Sequence, residues 1–217
     1  MATVVEKTFE SIKRAARRQF KSARGSHDWD HTERVYRLAL SLGKKEKADL
    51  DVVRLAAILH DIGRAEEDRS NGRICHSEAG AARARKILAQ HGLDAEIIRR
   101  VVDCIRTHRF RKGATPATTE AKVLFDADKL DSIGAVGIGR AFLFAGEVGA
   151  RLHNKDQDLS ATQPYTMEDT AYREYMIKLR RVKARMFTAE GRRIAAGRHV
   201  YMVGFFARLN KETDGAL

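Results

Sequence analysis

The segment DVVRLAAILHDIG, residues 51–63, is apolar almost all the way round a helical circumference. A helix of that kind is stable only when other elements enclose it, so it marks a central helix and demands a helical jacket. The rest of the chain supplies one. Apolar residues recur at helical spacing nearly throughout, alternating β-branched runs are scarce, and the only prolines are Pro116 and Pro164. The spacing predicts helices over about 3–23, 28–43, 49–62, 77–91, 94–109, 120–133, 137–147, 166–187 and 189–210. Gly63 reads as the stop of the third helix. Thr166 followed by Asp169 reads as the N-cap pair of the eighth. The runs AEEDRSNGRIC and HNKDQDLSATQP read as polar loops too short to link domains. An all-α, single-domain helical bundle over 1–217 is the expectation, with helices 166–210 in the same domain.

Composition narrows the setting. With 43% apolar residues in 217, the chain can bury one substantial core. No run of about 18 uncharged apolar residues is present to span a membrane. The N-terminus has no apolar stretch followed by a small-residue cleavage site, and it reads as mature cytosolic sequence. Cys75 and Cys104 are too few for a disulfide framework and read as reduced thiols. Lys and Arg outnumber acids by 41 to 29, an excess that attracts anions without choosing among nucleic acid, lipid and phosphorylated metabolites.

Polar residues on apolar faces carry the functional signal. In HDWDHTERVYRLALSL, His31 shares a stripe with Val35, Leu38 and Leu42, so it points inward. His60 and Asp61 sit at the last turn of the central helix. In KVLFDADKLDSIG, Asp128 shares a stripe with Leu124. Buried carboxylates need cationic partners or a metal. Each residue alone has a plainer reading, such as a hydrogen-bonded core histidine or an aspartate paired with arginine. Together, two imidazoles and two carboxylates form a mixed N/O set suited to Mn, Fe, Co, Ni or Zn, or to Mg with more water. Such a set leaves positions open for water and substrate.

This pattern, His31, then His60-Asp61 in AAILHDIGR, then Asp128 in DADKLD, resembles the HD phosphohydrolase superfamily over roughly residues 26–140. The run FDADKLDSIGAVGIGRAF is similar to its small stand-alone YedJ/YpgQ-like group. The resemblance implies a helical fold, a divalent metal cofactor, one or two ions per chain, and hydrolysis of a phosphate ester or anhydride. Nucleotides are the implied substrate class, with nucleoside triphosphate going to monophosphate and pyrophosphate. A monophosphate phosphatase and a dinucleoside polyphosphate hydrolase are the alternatives.

Two more histidines fit the same pocket. His76 opens HSEAGAARARKIL, with Gly80 one turn on, and His108 ends the stripe Val101, Ile105, His108. Some HD enzymes similar to the YqeK group carry H…HD…H…H…D and bind two metals, which would make Asp61 a bridge. Acid–base or substrate roles, or simple capping and core hydrogen bonding, stay open. Arg64, Arg109, Lys129 and Arg140, with Lys112 behind them, are the candidates to hold phosphate. Asp131 is the candidate proton carrier, and Glu78 a weaker one. His27 could support His31 from four residues away, while His91, His153 and His199 read as surface residues. The glycines of GAVGIGR lack the Lys-Ser/Thr ending of a phosphate loop and read as close packing. Cys75 lacks the partners of a nucleophile. The basic N-terminal helix, with Phe9, Ile12, Ala16 and Phe20 on one stripe, reads as structural. A nucleic-acid-binding module keeping a structural metal, or a nucleotide sensor with a silent site, is the reading from another class.

Overall fold

The structure is a computed structural model that describes residues 4–20, 28–70, 73–109 and 115–216, with the Asp68 side chain excepted. His27 and Lys112 therefore lie outside the described residues. Among the described residues every regular element is helical, and no helix is long and apolar enough to cross a membrane. The chain divides into two compact units, Met1–Asp128 and Lys129–Leu217.

The first unit is built around α3 (Leu50–Leu59), in which every residue from Val52 to Leu59 except Arg54 is buried. It is enclosed by α2 (Trp29–Lys45), by α6 (Ala95–Thr107) and by α1 (Glu6–Arg17). The short α4 (Arg64–Arg69) and α5 (His76–Gln90) follow it, and α5 packs along α6. The unit ends within α7 (Thr119–Leu130). Side chains cap the starts. Asp28 accepts from His31 N at 3.0 Å at the head of α2. Asp49 accepts from Asp51 N and Val52 N at the head of α3, and Asp94 accepts from Glu96 N at the head of α6. Asp49 also holds Arg100 Nη1 at 2.7 Å, while Glu120 accepts from Asp49 N, so the starts of α3 and α7 are tied to α6.

The basic helix α1 does what its stripe predicts. Phe9, Ile12 and Ala16 are buried, with Phe20 just beyond. Arg54 of α3 donates to Glu6 and Val4 O and stacks 4.5 Å over the Phe9 ring.

The second unit pairs α8 (Gly134–Glu147) with α10 (Ala189–Thr213), and α9 (Ala171–Ile177) joins a 3-10 segment, Leu179–Arg185, against them. Tyr175 stacks on Phe206 at 4.2 Å between ring centres. The single helix expected over 166–187 is two short pieces. The cap of α9 is Thr170, which accepts from Arg173 N at 3.0 Å. Thr166 and Asp169 instead build the preceding turn, Thr166 donating to Gln163 O and Asp169 accepting from Tyr165 N. The backbone then breaks at Lys178, with φ −127° and ψ −56°.

Gly63 also differs from its expected role. Its φ is not in the left-handed region, and α3 ends four residues earlier. It is there for contact: a Cβ on Gly63 would lie 2.3 Å from His76 O and 2.5 Å from Gly80 N. Two glycines thus let the turn after α3 touch the first turn of α5, backbone to backbone. Gly139 on α8 is the opposite case, with nothing within 4 Å of an added Cβ. Gly63→Ala should therefore destabilise the chain by about 1–3 kcal/mol, whereas Gly139→Ala should stabilise it by up to about 1 kcal/mol through helix propensity. Urea unfolding midpoints of the two variants check this, and a neutral Gly63→Ala would contradict the close approach.

Candidate metal centre

Six side chains from successive elements of the first unit converge. The Asp28 cap fixes the first turn of α2 and with it His31. His60 and Asp61 follow the last residue of α3, His76 opens α5, His108 follows α6, and Asp128 comes from the last turn of α7. Asp61 and the four histidines are all at most 2% exposed, and Asp128 is half-buried.

Asp61 organises them. Its Oδ2 faces His31 Nε2 at 3.8 Å and His60 Nε2 at 3.7 Å. Its Oδ1 faces His76 Nε2 at 3.4 Å and His108 Nε2 at 3.6 Å. Asp128 Oδ1 lies 3.5 Å from His31 Nε2. Two compact donor sets result, His31–His60–Asp128 and Asp61–His76–His108, and the atoms of each lie within 4.8 Å of one another. One carboxylate thus presents one oxygen to each pair of imidazoles.

The rings are oriented from behind. His60 Nδ1 lies 2.8 Å from Ala57 O, and His108 Nδ1 lies 2.5 Å from Ile105 O. A carbonyl only accepts, so each Nδ1 carries the proton and each Nε2 turns a lone pair inward. His76 Nδ1 lies 2.6 Å from Glu67 Oε2 and donates to that carboxylate. Burial pushes His60 down to about 4 and His76 down to about 3 despite the neighbouring Asp61. Both rings are therefore neutral near pH 7, the form that ligates a metal. Nitrogen lone pairs and carboxylate oxygens aimed at common points suit a borderline transition ion, and a carboxylate with one oxygen towards each pair of imidazoles suits a pair of them.

Two arginines flank this core. Arg64 Nη2 lies 3.2 Å from each oxygen of Asp61, and its Nη1 donates to Glu67 Oε2 at 2.9 Å. Arg109 Nη1 donates to Glu67 Oε1. Burial alone would raise the Glu67 carboxyl, but hydrogen bonds from Arg109 and His76 outweigh it and bring it to about 2.

The other sequence candidates have partners of their own. Lys129, Asp131 and Arg140 belong to the second unit, in which Arg140 Nη1 donates to Asp131 Oδ2 at 3.0 Å. Glu78 is exposed and pairs with Arg106. His91, His153 and His199 are half-buried rather than surface residues. His91 contacts Ile87 O and Ser11 Oγ, and His153 contacts Asn210 and stacks on Tyr172. Burial pushes the Cys104 thiol up to about 12, which leaves it inert. Glu67 is the site residue that sequence reasoning missed. It sits in a run read as a loop, and its only signal was its place six residues after Asp61, one turn beyond Arg64.

Comparison with known proteins bears on this geometry. The model of the HD domain matches residues 28–133. The uncharacterised protein YpgQ of Bacillus subtilis is 37% identical over 193 residues, covering 87% of this chain and 85% of YpgQ. The crystal structure of YpgQ in complex with ADP superposes with a TM-score of 0.74 at 32% identity, covering 95% of each chain. An HD-superfamily hydrolase from Bacillus thuringiensis gives 0.74 at 25% identity over 96% of this chain and 98% of its own. A predicted HD superfamily hydrolase from an uncultured Thermotogales bacterium gives 0.67 at 29% identity, over 94% and 91%.

The depressed histidines set a pH dependence for the metal-free chain. In the unfolded chain a histidine takes up its proton near pH 6.5, whereas folded His60 and His76 wait until about 4 and about 3. Between those values the unfolded state binds more protons, so stability falls as pH falls. Urea unfolding of chelated protein should show stability dropping from pH 6.5 towards pH 4, with no matching drop from these groups above 6.5. A flat profile over that window would contradict the buried neutral imidazoles.

Proposed function

This chain belongs to the HD-domain family of hydrolases, and from that membership we propose that it is a metal-dependent phosphohydrolase acting on nucleotides through a two-ion centre. The observation that carries the reading is Asp61, with one oxygen towards His31 and His60 and the other towards His76 and His108. One ion would be held by His31, His60, Asp61 and Asp128, the other by Asp61, His76 and His108. Ions so held would supply a water of lowered pKa and positive charge for phosphoryl oxygens.

The chain's own residues account for the rest. The buried Nδ1–H bonds of His60, His76 and His108 keep the Nε2 donors pointing inward before any ion arrives, so little reorganisation is needed on binding. Arg64 and Arg109 bring cationic charge to the edge of the donor cluster, where anionic oxygens of a polyphosphate need it. Nucleotides are the favoured class because the relative YpgQ has been crystallised with ADP. The reaction proposed adds water across the bond between the α and β phosphates of a nucleoside or deoxynucleoside triphosphate and releases monophosphate and pyrophosphate.

Asp61→Asn removes the charge that serves both pairs of imidazoles and replaces one of the two oxygens with an NH2 that cannot ligate. It should cut metal-dependent turnover by more than about 100-fold and strip the purified protein of both ions. Full metal content in that variant would overturn the assignment of Asp61.

Incubation with triphosphates and Mn or Mg should yield pyrophosphate and monophosphate in equal amounts. Orthophosphate from monophosphates, with triphosphates untouched, would replace this reaction with a phosphatase and leave the metal centre standing.

A further inference from the structure

Three of the inward-facing imidazoles have visible supports, and one support differs in kind. His60 and His108 each follow the last residue of a helix and use the carbonyl three residues back, Ala57 O and Ile105 O. His76 opens its helix, so the residue three back, Arg73, lies outside any helix and offers no such acceptor. A side chain has to supply it. That side chain is Glu67, buried on α4, with Oε2 at 2.6 Å from His76 Nδ1.

Glu67 is itself held from both sides. Its Oε1 accepts from Arg109 and its Oε2 from Arg64, while the other terminal nitrogen of Arg64 lies across both oxygens of Asp61. Arg109 Nη1 also lies 2.9 Å from His76 Nδ1. With the proton on Nδ1 these are two donors side by side, an approach tolerated because one carboxylate takes both. A charge that merely balanced two arginines would not need to reach the imidazole at that distance.

We propose that Glu67 is the positioning residue of the second half of the centre, fixing the His76 ring with its Nε2 lone pair towards Asp61 and holding Arg64 and Arg109 beside it. This rests on the two-ion reading above. The carboxylate keeps Nδ1 protonated and makes Nε2 the more basic donor, as hydrogen-bonded carboxylates behind histidine ligands do. It also gives Arg64 a second anion, so that the guanidinium is not committed to Asp61 alone. An amide of the same size cannot do this. Glutamine has one accepting oxygen, and its NH2 would face either the Nδ1–H or an arginine.

The test compares wild type, Glu67→Gln and Glu67→Asp by elemental analysis after equilibration in chelator-buffered Mn2+, alongside 15N spectra of the metal-free imidazoles. Wild type should hold two ions. Glu67→Gln should keep the first, which also reports its fold, and bind the second about 10–100-fold more weakly, with the His76 signals moving from the Nδ1–H tautomer to a mixture. Glu67→Asp keeps the charge but shortens the reach, and should lie between; it carries the same readings should the glutamine variant fail to fold. Two ions of unchanged affinity and an unchanged His76 tautomer in the variants would overturn the role of Glu67. One ion in wild type would instead overturn the two-ion reading, and the tautomer would then decide on Glu67 by itself.

Discussion

A carboxylate shut inside a helical core has to be answered with positive charge, and at the donor cluster that carboxylate is Asp61. It is 2% exposed and ringed by four buried imidazoles, two of which burial keeps neutral. Removing an ion from water costs several kcal/mol even after relaxation, on the order of what a whole domain has to spare. Arg64 answers part of the charge by lying across both oxygens. The inward Nε2 atoms of His60 and His76 answer nothing while neutral, which is why the arrangement makes sense as a place for cations.

The surrounding architecture follows from delivering those groups. Capping by Asp28 fixes the turn that carries His31. The glycine contact between Gly63 and Gly80 brings the head of α5 against the turn after α3, so His76 meets Asp61. Pairing of α5 with α6 then sets His108 against His76, with Nε2 atoms 3.2 Å apart. The donors ride on helix ends braced by buried packing, and the rings of His60, His76 and His108 are fixed by hydrogen bonds from behind. Preorganisation of this kind suits catalysis by electrostatics, where the groups must already be in place when charge develops.

How much of this could be read beforehand depended on the length of the signal. The apolar circumference of α3 and the stripes of α1, α2 and α6 extend over several turns, so those elements and their inward faces were legible. His31, His60 and Asp128 stood out because they interrupt such stripes, and His76 and His108 because a helix boundary or stripe ends on them. Glu67 left no trace of that sort: α4 has six residues, too few for a period, and lies in a polar run. Gly63 looked like a helix stop because a glycine after a helix commonly is one, whereas here it answers a contact with a segment distant in sequence. The stretch 166–187 carried helical spacing, but the Thr166–Asp169 turn and the break at Lys178 divide it. Local patterns record periodicity and not the tertiary contacts that override it.

On the proposed reading, Asp61 is shared between two metal ions. Anomalous diffraction from Mn-loaded crystals tests it most directly. Two peaks are expected about 3.5–4 Å apart, one beside His31, His60 and Asp128 and one beside His76 and His108, with an oxygen of Asp61 directed at each. A single peak, with the His76 and His108 rings turned away from it under saturating metal, would contradict it.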